Sequence, residues 1–107
     1  MAWMILLLAG VCEIGWPLGF KLAQTTSHRL FFILFAAVSM MVSGWLLYLA
    51  QKSIPIGTAY AIWTGIGAAG AFTVGVMLFG DALSLGRLLG VGMIVGGVIV
   101  LKVMGTS

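Results

Sequence analysis

Five basic and two acidic residues make up the formal side-chain charge of this 107-residue chain, and their spacing constrains its fold more than any motif does. They stand at Glu13, Lys21, Arg29, Lys52, Asp81, Arg87 and Lys102, and most of the intervals between them are uncharged apolar runs. A helix rises 1.5 Å per residue, so about 20 residues cross a hydrocarbon core ~30 Å thick. Four spans fit, over residues 3–20, 30–51, 57–80 and 83–101. The chain is 63% hydrophobic and 7% charged, whereas a soluble domain carries about 25% charged residues. The expected fold is therefore an all-α membrane protein, with residues 1–107 forming a single four-helix transmembrane domain and no soluble domain. Breaks are expected at residues 22–28, 52–55 and 80–84. Pro55 and Gly57 mark a turn followed by a helix start. Trp3 and Tyr48 fall near span ends, where aromatic side chains favour the membrane interface.

The first span does not read as a signal peptide. It has no basic leading region and no small-residue cleavage site, and it contains a glutamate. Cys12 is the sole cysteine, so no intrachain disulfide can form, and its reading is that of a small apolar packing residue. The formal net charge of +3 does not indicate nucleic acid. The basic residues sit at span ends rather than in a cluster, as is usual in membrane proteins. Four spans put Lys52 and Lys102 on one face and Lys21, Arg29 and Arg87, with His28, on the other. That near-balance gives no clear orientation under the positive-inside rule. A chain without preference can insert both ways, and two opposed copies can form an antiparallel dimer.

The fourth span is rich in glycine, at Gly86, Gly90, Gly92, Gly96 and Gly97. Small residues four apart let helix backbones approach closely in lipid, either within one chain or between two subunits. Gly90, Gly92, Gly96 and Gly97 are the candidate dimer-packing residues. Gly65, Gly67 and Gly70 match G-x-G-x-x-G, but that motif binds dinucleotides only where it follows a strand and opens a helix. Inside an apolar span, Gly65 and Gly67 read instead as a hinge.

Glu13 carries the function. It is the one acidic residue inside a span and lies about 15 Å along the helix from Trp3, close to the midplane. An ionisable group at that depth costs several kcal/mol on most estimates, and it marks a functional site by default. No span interior offers a base to pair with it. Gly10, Glu13, Trp16 and Pro17 share one helical face. Gly10 leaves room beside the carboxylate, and Trp16 offers an aromatic wall and an indole N–H. Pro17 lacks the N–H that would bond the carbonyl of Glu13, which favours a kink. In the third span Tyr60, Trp63, Thr64 and Gly67 share a face, and an aromatic wall beside a carboxylate suits a cation. In the second, Ser39 and Ser43 share a face and can hydrogen-bond across helices. One carboxylate per chain is thin provision for a transporter, whereas a dimer brings two together, to titrate as a coupled unit. Protons and a cation then compete for the same groups, and that competition is exchange. Nothing points to hydrolytic chemistry, a cofactor or a metal: the sequence holds no base–nucleophile pair, no metal cluster and no phosphate loop.

Three stretches carry a resemblance over the whole length. They are Ala9-Gly10-Val11-Cys12-Glu13, the long run from Ile54-Pro55-Ile56-Gly57-Thr58-Ala59-Tyr60 through Ala61-Ile62-Trp63-Thr64-Gly65-Ile66-Gly67, and Leu101-Lys102. On these the chain resembles the small multidrug resistance family. Within it, Trp16, Lys21 and the 57–64 run look like the guanidinium-exporter subtype, since the multidrug exporters normally have glycine at position 16. Pro17 stands where the family usually has a small or aliphatic residue, and the segment before Arg29 lacks the usual Gly-Phe-Ser/Thr. The resemblance implies a four-helix subunit of an antiparallel, dual-topology homodimer in the bacterial inner membrane. It implies a proton-coupled antiporter exporting guanidinium ion, with small substituted guanidiniums as further candidates. Glu13 is then the shared ligand and proton carrier. Trp16 and Ser43 position its carboxylate, and Tyr60 and Trp63 line the site; the shared helical faces add Gly10 and Thr64 to the lining. The alternative is a proton-coupled exporter of quaternary ammonium or aromatic cations.

Overall fold

The structure is a computed structural model that describes residues 1–104. Four helices follow one another: α1 (Ala2–Thr25), α2 (Arg29–Ala50), α3 (Ile56–Phe79) and α4 (Leu85–Met104). Each is long and apolar enough to cross a membrane. The expected spans are recovered with shifted ends. The largest shift is in α1, which continues past Lys21 to Thr25, so the first break is shorter than residues 22–28. A charge at the interface does not stop a helix, because the ammonium reaches water on its own stem. The stop comes where Thr25 and Thr26 hydroxyls donate back to the carbonyls of Lys21 and Leu22, at 2.9 and 2.7 Å.

The other ends are set by local chemistry. Pro55 caps α3, and Gly80 ends it in the left-handed conformation at φ 67°, which glycine adopts without a Cβ penalty. Ser84 Oγ accepts the N–H of Arg87 at 3.2 Å, an N-cap bond that starts α4 two residues after Leu83. Pro17 lies inside α1, which remains one helix through it, and α3 runs unbroken through Gly65 and Gly67.

Helix α1 is central and packs on both α2 and α3, while the α4 backbone runs beside that of α3 and reaches α1 only through side chains such as Lys102. The molecule measures 47 × 34 × 17 Å. Its short dimension is less than two helix diameters, so the helices form a slab in the order α2–α1–α3–α4 and enclose no central core. The largest buried apolar cluster lies at one end, where Ile54 tucks between Leu6, Ala50, Ala59 and Ile62. Most large apolar side chains face outward, which in lipid costs nothing.

Candidate functional site

Small residues let the three packed helices approach closely at mid-depth. A Cβ on Gly10 would strike Ile66 of α3, and one on Gly67 would strike the Glu13 side chain. The space beside the carboxylate is therefore made by Gly67 across the helix pair. Gly10 instead gives its room to Ile66, a different use from the one expected. Gly65 is likewise filled, by Val98 of α4.

Glu13 is half-buried and lines a cavity of ≈ 230 Å³ with Trp16, Pro17, Thr64, Gly67, Ala68 and Ala71. Its hydrogen-bond partner is Ser43 of α2, which is fully buried. Ser43 Oγ lies 2.7 Å from the carbonyl oxygen of Ala9 and 3.4 Å from Glu13 Oε1, and it accepts the indole N–H of Trp63 at 2.8 Å. A hydroxyl owns one proton and two lone pairs. In this geometry the proton goes to Ala9 and one lone pair to Trp63, which leaves the second lone pair toward Glu13. A protonated Glu13 can donate to that lone pair. An ionised Glu13 is served only if the Ser43 hydroxyl turns away from Ala9. The three packed helices thus converge on one oxygen that can serve Glu13 as acceptor or as donor.

The expected site residues divide into groups. Glu13, Ser43 and Trp63 form one hydrogen-bonded chain, and Trp16 and Thr64 share the Glu13 cavity. The indole that bonds into the site is that of Trp63, whereas Trp16 packs edge-on against Phe20 at 5.7 Å. Tyr60 is 55% exposed and leans on Trp63 at 5.5 Å between ring centroids, at the edge of the group. Thr64 returns its hydroxyl to the carbonyl of Tyr60 at 2.8 Å. Ser39 packs against Gly15, one turn from Ser43. Sequence reasoning missed Ala9, whose backbone carbonyl carries no residue-type signal, and Ala68 and Ala71, which line the cavity only because α1 crosses there.

The α4 glycines differ in kind. Among the described residues, nothing lies within 4 Å of a Cβ added at Gly86, Gly90, Gly92, Gly96 or Gly97, and no residue of α4 is buried. At the opposite end from the α1–α2 turn, Lys102 lies over the Trp3 ring at 4.6 Å and Lys52 over Tyr48 at 5.4 Å. Both cations thus gather beside aromatic rings at helix ends, a usual interfacial pairing.

The family model described as Small Multidrug Resistance protein matches residues 1–94. A "Guanidinium exporter" of Yersinia pseudotuberculosis is 47% identical over 102 residues, covering 95% of this chain and 97% of that one. Proteins of the same name from Salmonella typhimurium and Citrobacter freundii are 48% and 44% identical, each over 95% of this chain and 96% of their own. With four membrane-capable helices and relatives of this kind from bacteria, the chain is a multi-pass protein of the inner membrane.

Proposed function

Because the chain belongs to the small multidrug resistance family, we propose that it exports a small cation, guanidinium ion, in exchange for protons, as an antiparallel homodimer. The observation that carries this reading is the Glu13 carboxylate, held at mid-helix in a cavity between α1 and α3 with Ser43 as its hydrogen-bond partner. A planar guanidinium ion offers paired N–H donors that match carboxylate oxygens. The cavity supplies an aromatic wall from Trp16, and rings favour a cation through their quadrupole.

Exchange follows from occupancy. Two Glu13 carboxylates in a dimer hold either protons or the cation, so loading one releases the other. Ser43 supports both conditions, accepting from a protonated Glu13 and donating to an ionised one after its hydroxyl turns. The open glycine face of α4 supports a second copy as its cover, through Gly90, Gly92, Gly96 and Gly97. The balance of charge between faces supports opposed insertion of the two copies. Gly65 and Gly67 are the points at which α3 bends as access alternates. A spin-label scan along α3 that finds it straight in both substrate-free and loaded dimers would remove that last element.

The test is transport current in proteoliposomes on adding guanidinium, with Glu13→Gln alongside and tetraethylammonium as comparator. A saturable guanidinium current, lost in the variant and weak for tetraethylammonium, is expected. Quaternary ammonium movement without guanidinium current would overturn the substrate and favour a multidrug exporter.

A further inference from the structure

A second cavity, of ≈ 200 Å³, lies between α1 and α3 toward the membrane face that carries Lys21 and Asp81. Both of those residues line it, and it shares Pro17 and Ala71 with the Glu13 cavity. The two spaces are therefore consecutive along one groove. Lys21 lies eight residues beyond Glu13, which is about 12 Å along α1. Asp81 is the only acidic residue in the chain besides Glu13.

The two charges at this mouth are held differently. The Asp81 N–H donates to the Gly75 carbonyl at 3.0 Å, and its carboxylate folds back onto Gly75, occupying the space that a side chain there would need. The short acidic side chain is thus anchored over the last turn of α3. Lys21 is exposed, on a long flexible stem that can swing its ammonium out to the headgroup region. Asp81 is also exposed, but its short stem keeps its charge beside the mouth, whereas the Lys21 ammonium can swing away from it.

We propose that this cavity is a low-affinity entry station for the transported organic cation, in which the cation pairs with Asp81, in competition with the Lys21 ammonium, before moving along the groove to Glu13. This rests on the exporter reading and deepens it. Lys21 makes the station useful: a bare carboxylate would retain the cation, whereas a competing ammonium keeps binding weak enough for release. A charge at the rim acts on capture, and its effect falls with ionic strength. In opposed subunits, each membrane face would carry one such mouth.

The test measures guanidinium transport in proteoliposomes against substrate concentration, at low and high salt. For Asp81→Asn at low salt, KM rises about fivefold while the maximal rate stays within about twofold, and the difference closes at high salt. Lys21→Gln lowers KM, and Asp81→Glu stays near the parent value. An unchanged KM in Asp81→Asn, or a loss confined to the maximal rate, would overturn the station. If Asp81→Asn does not fold, Lys21→Gln decides, and an unchanged or raised KM there overturns it. Absence of guanidinium transport by the unaltered protein removes the exporter reading and the station together. Transport that depends on Glu13 but ignores Asp81 and Lys21 removes the station alone.

Discussion

The α1–α3 seam and the outer face of α4 are both lined with glycine, yet they use it in opposite ways. In the seam the missing Cβ is occupied by a neighbour across it: Ile66 at Gly10, Glu13 at Gly67, Ile14 at Gly70. Along α4 five glycines meet nothing. Glycine costs a helix roughly 1 kcal/mol relative to alanine, a cost that close packing in lipid can offset. In the seam the offset lies within the chain. On α4 no such offset is found among the described residues, and a second copy is the cover proposed above.

Substitutions at the two sets of glycines should have different consequences. The largest effect is expected at Gly67→Val, which drives the Glu13 side chain out of its place. Overpacking costs roughly 1–3 kcal/mol, and at this position transport falls by about two orders of magnitude while helix content by circular dichroism is kept. Gly96→Val on α4 leaves the chain's own packing intact but weakens association, so the dimer fraction at a fixed protein-to-lipid ratio drops by about tenfold, read by crosslinking or single-molecule counting. If Gly96→Val instead unfolded the monomer, the distinction between the two glycine sets would fail.

Smaller changes sharpen it. Trp63→Phe keeps the ring but removes the N–H bonded to Ser43. The loss of one hydrogen bond, about 1 kcal/mol, raises the guanidinium KM by about fivefold. Gly86→Ala lies in the first turn of α4, where the helix cost of glycine is smaller, and outside the proposed dimer-packing set, so it changes thermal stability by less than about 0.5 kcal/mol and leaves transport unaltered.

The spacing of charges made the four helices legible, and depth in the first span singled out Glu13. Periodicity also brought Ser43 and Trp63 onto faces that the fold joins. What the sequence hid lies in contacts between helices. The role of Gly67 depends on α1 crossing α3 at that level, and the Ala9 carbonyl is a backbone group that every residue type presents alike. The hydrophobicity that announces a membrane helix is shared by lipid-facing and helix-facing positions, so it does not say that α1 is central and α4 peripheral. The end of α1 was misplaced for a related reason: Lys21 marks the interface, whereas the helix stops only at the threonines beyond it.

The proposed exchange rests on competition between protons and guanidinium for Glu13. Its most direct measurement is proton release on adding guanidinium to the purified, weakly buffered protein, followed by a pH-sensitive dye. Release should saturate with guanidinium, require higher guanidinium concentrations as the pH falls, and vanish in Glu13→Gln. Saturable guanidinium binding without proton release, or equal release from Glu13→Gln, would contradict the account.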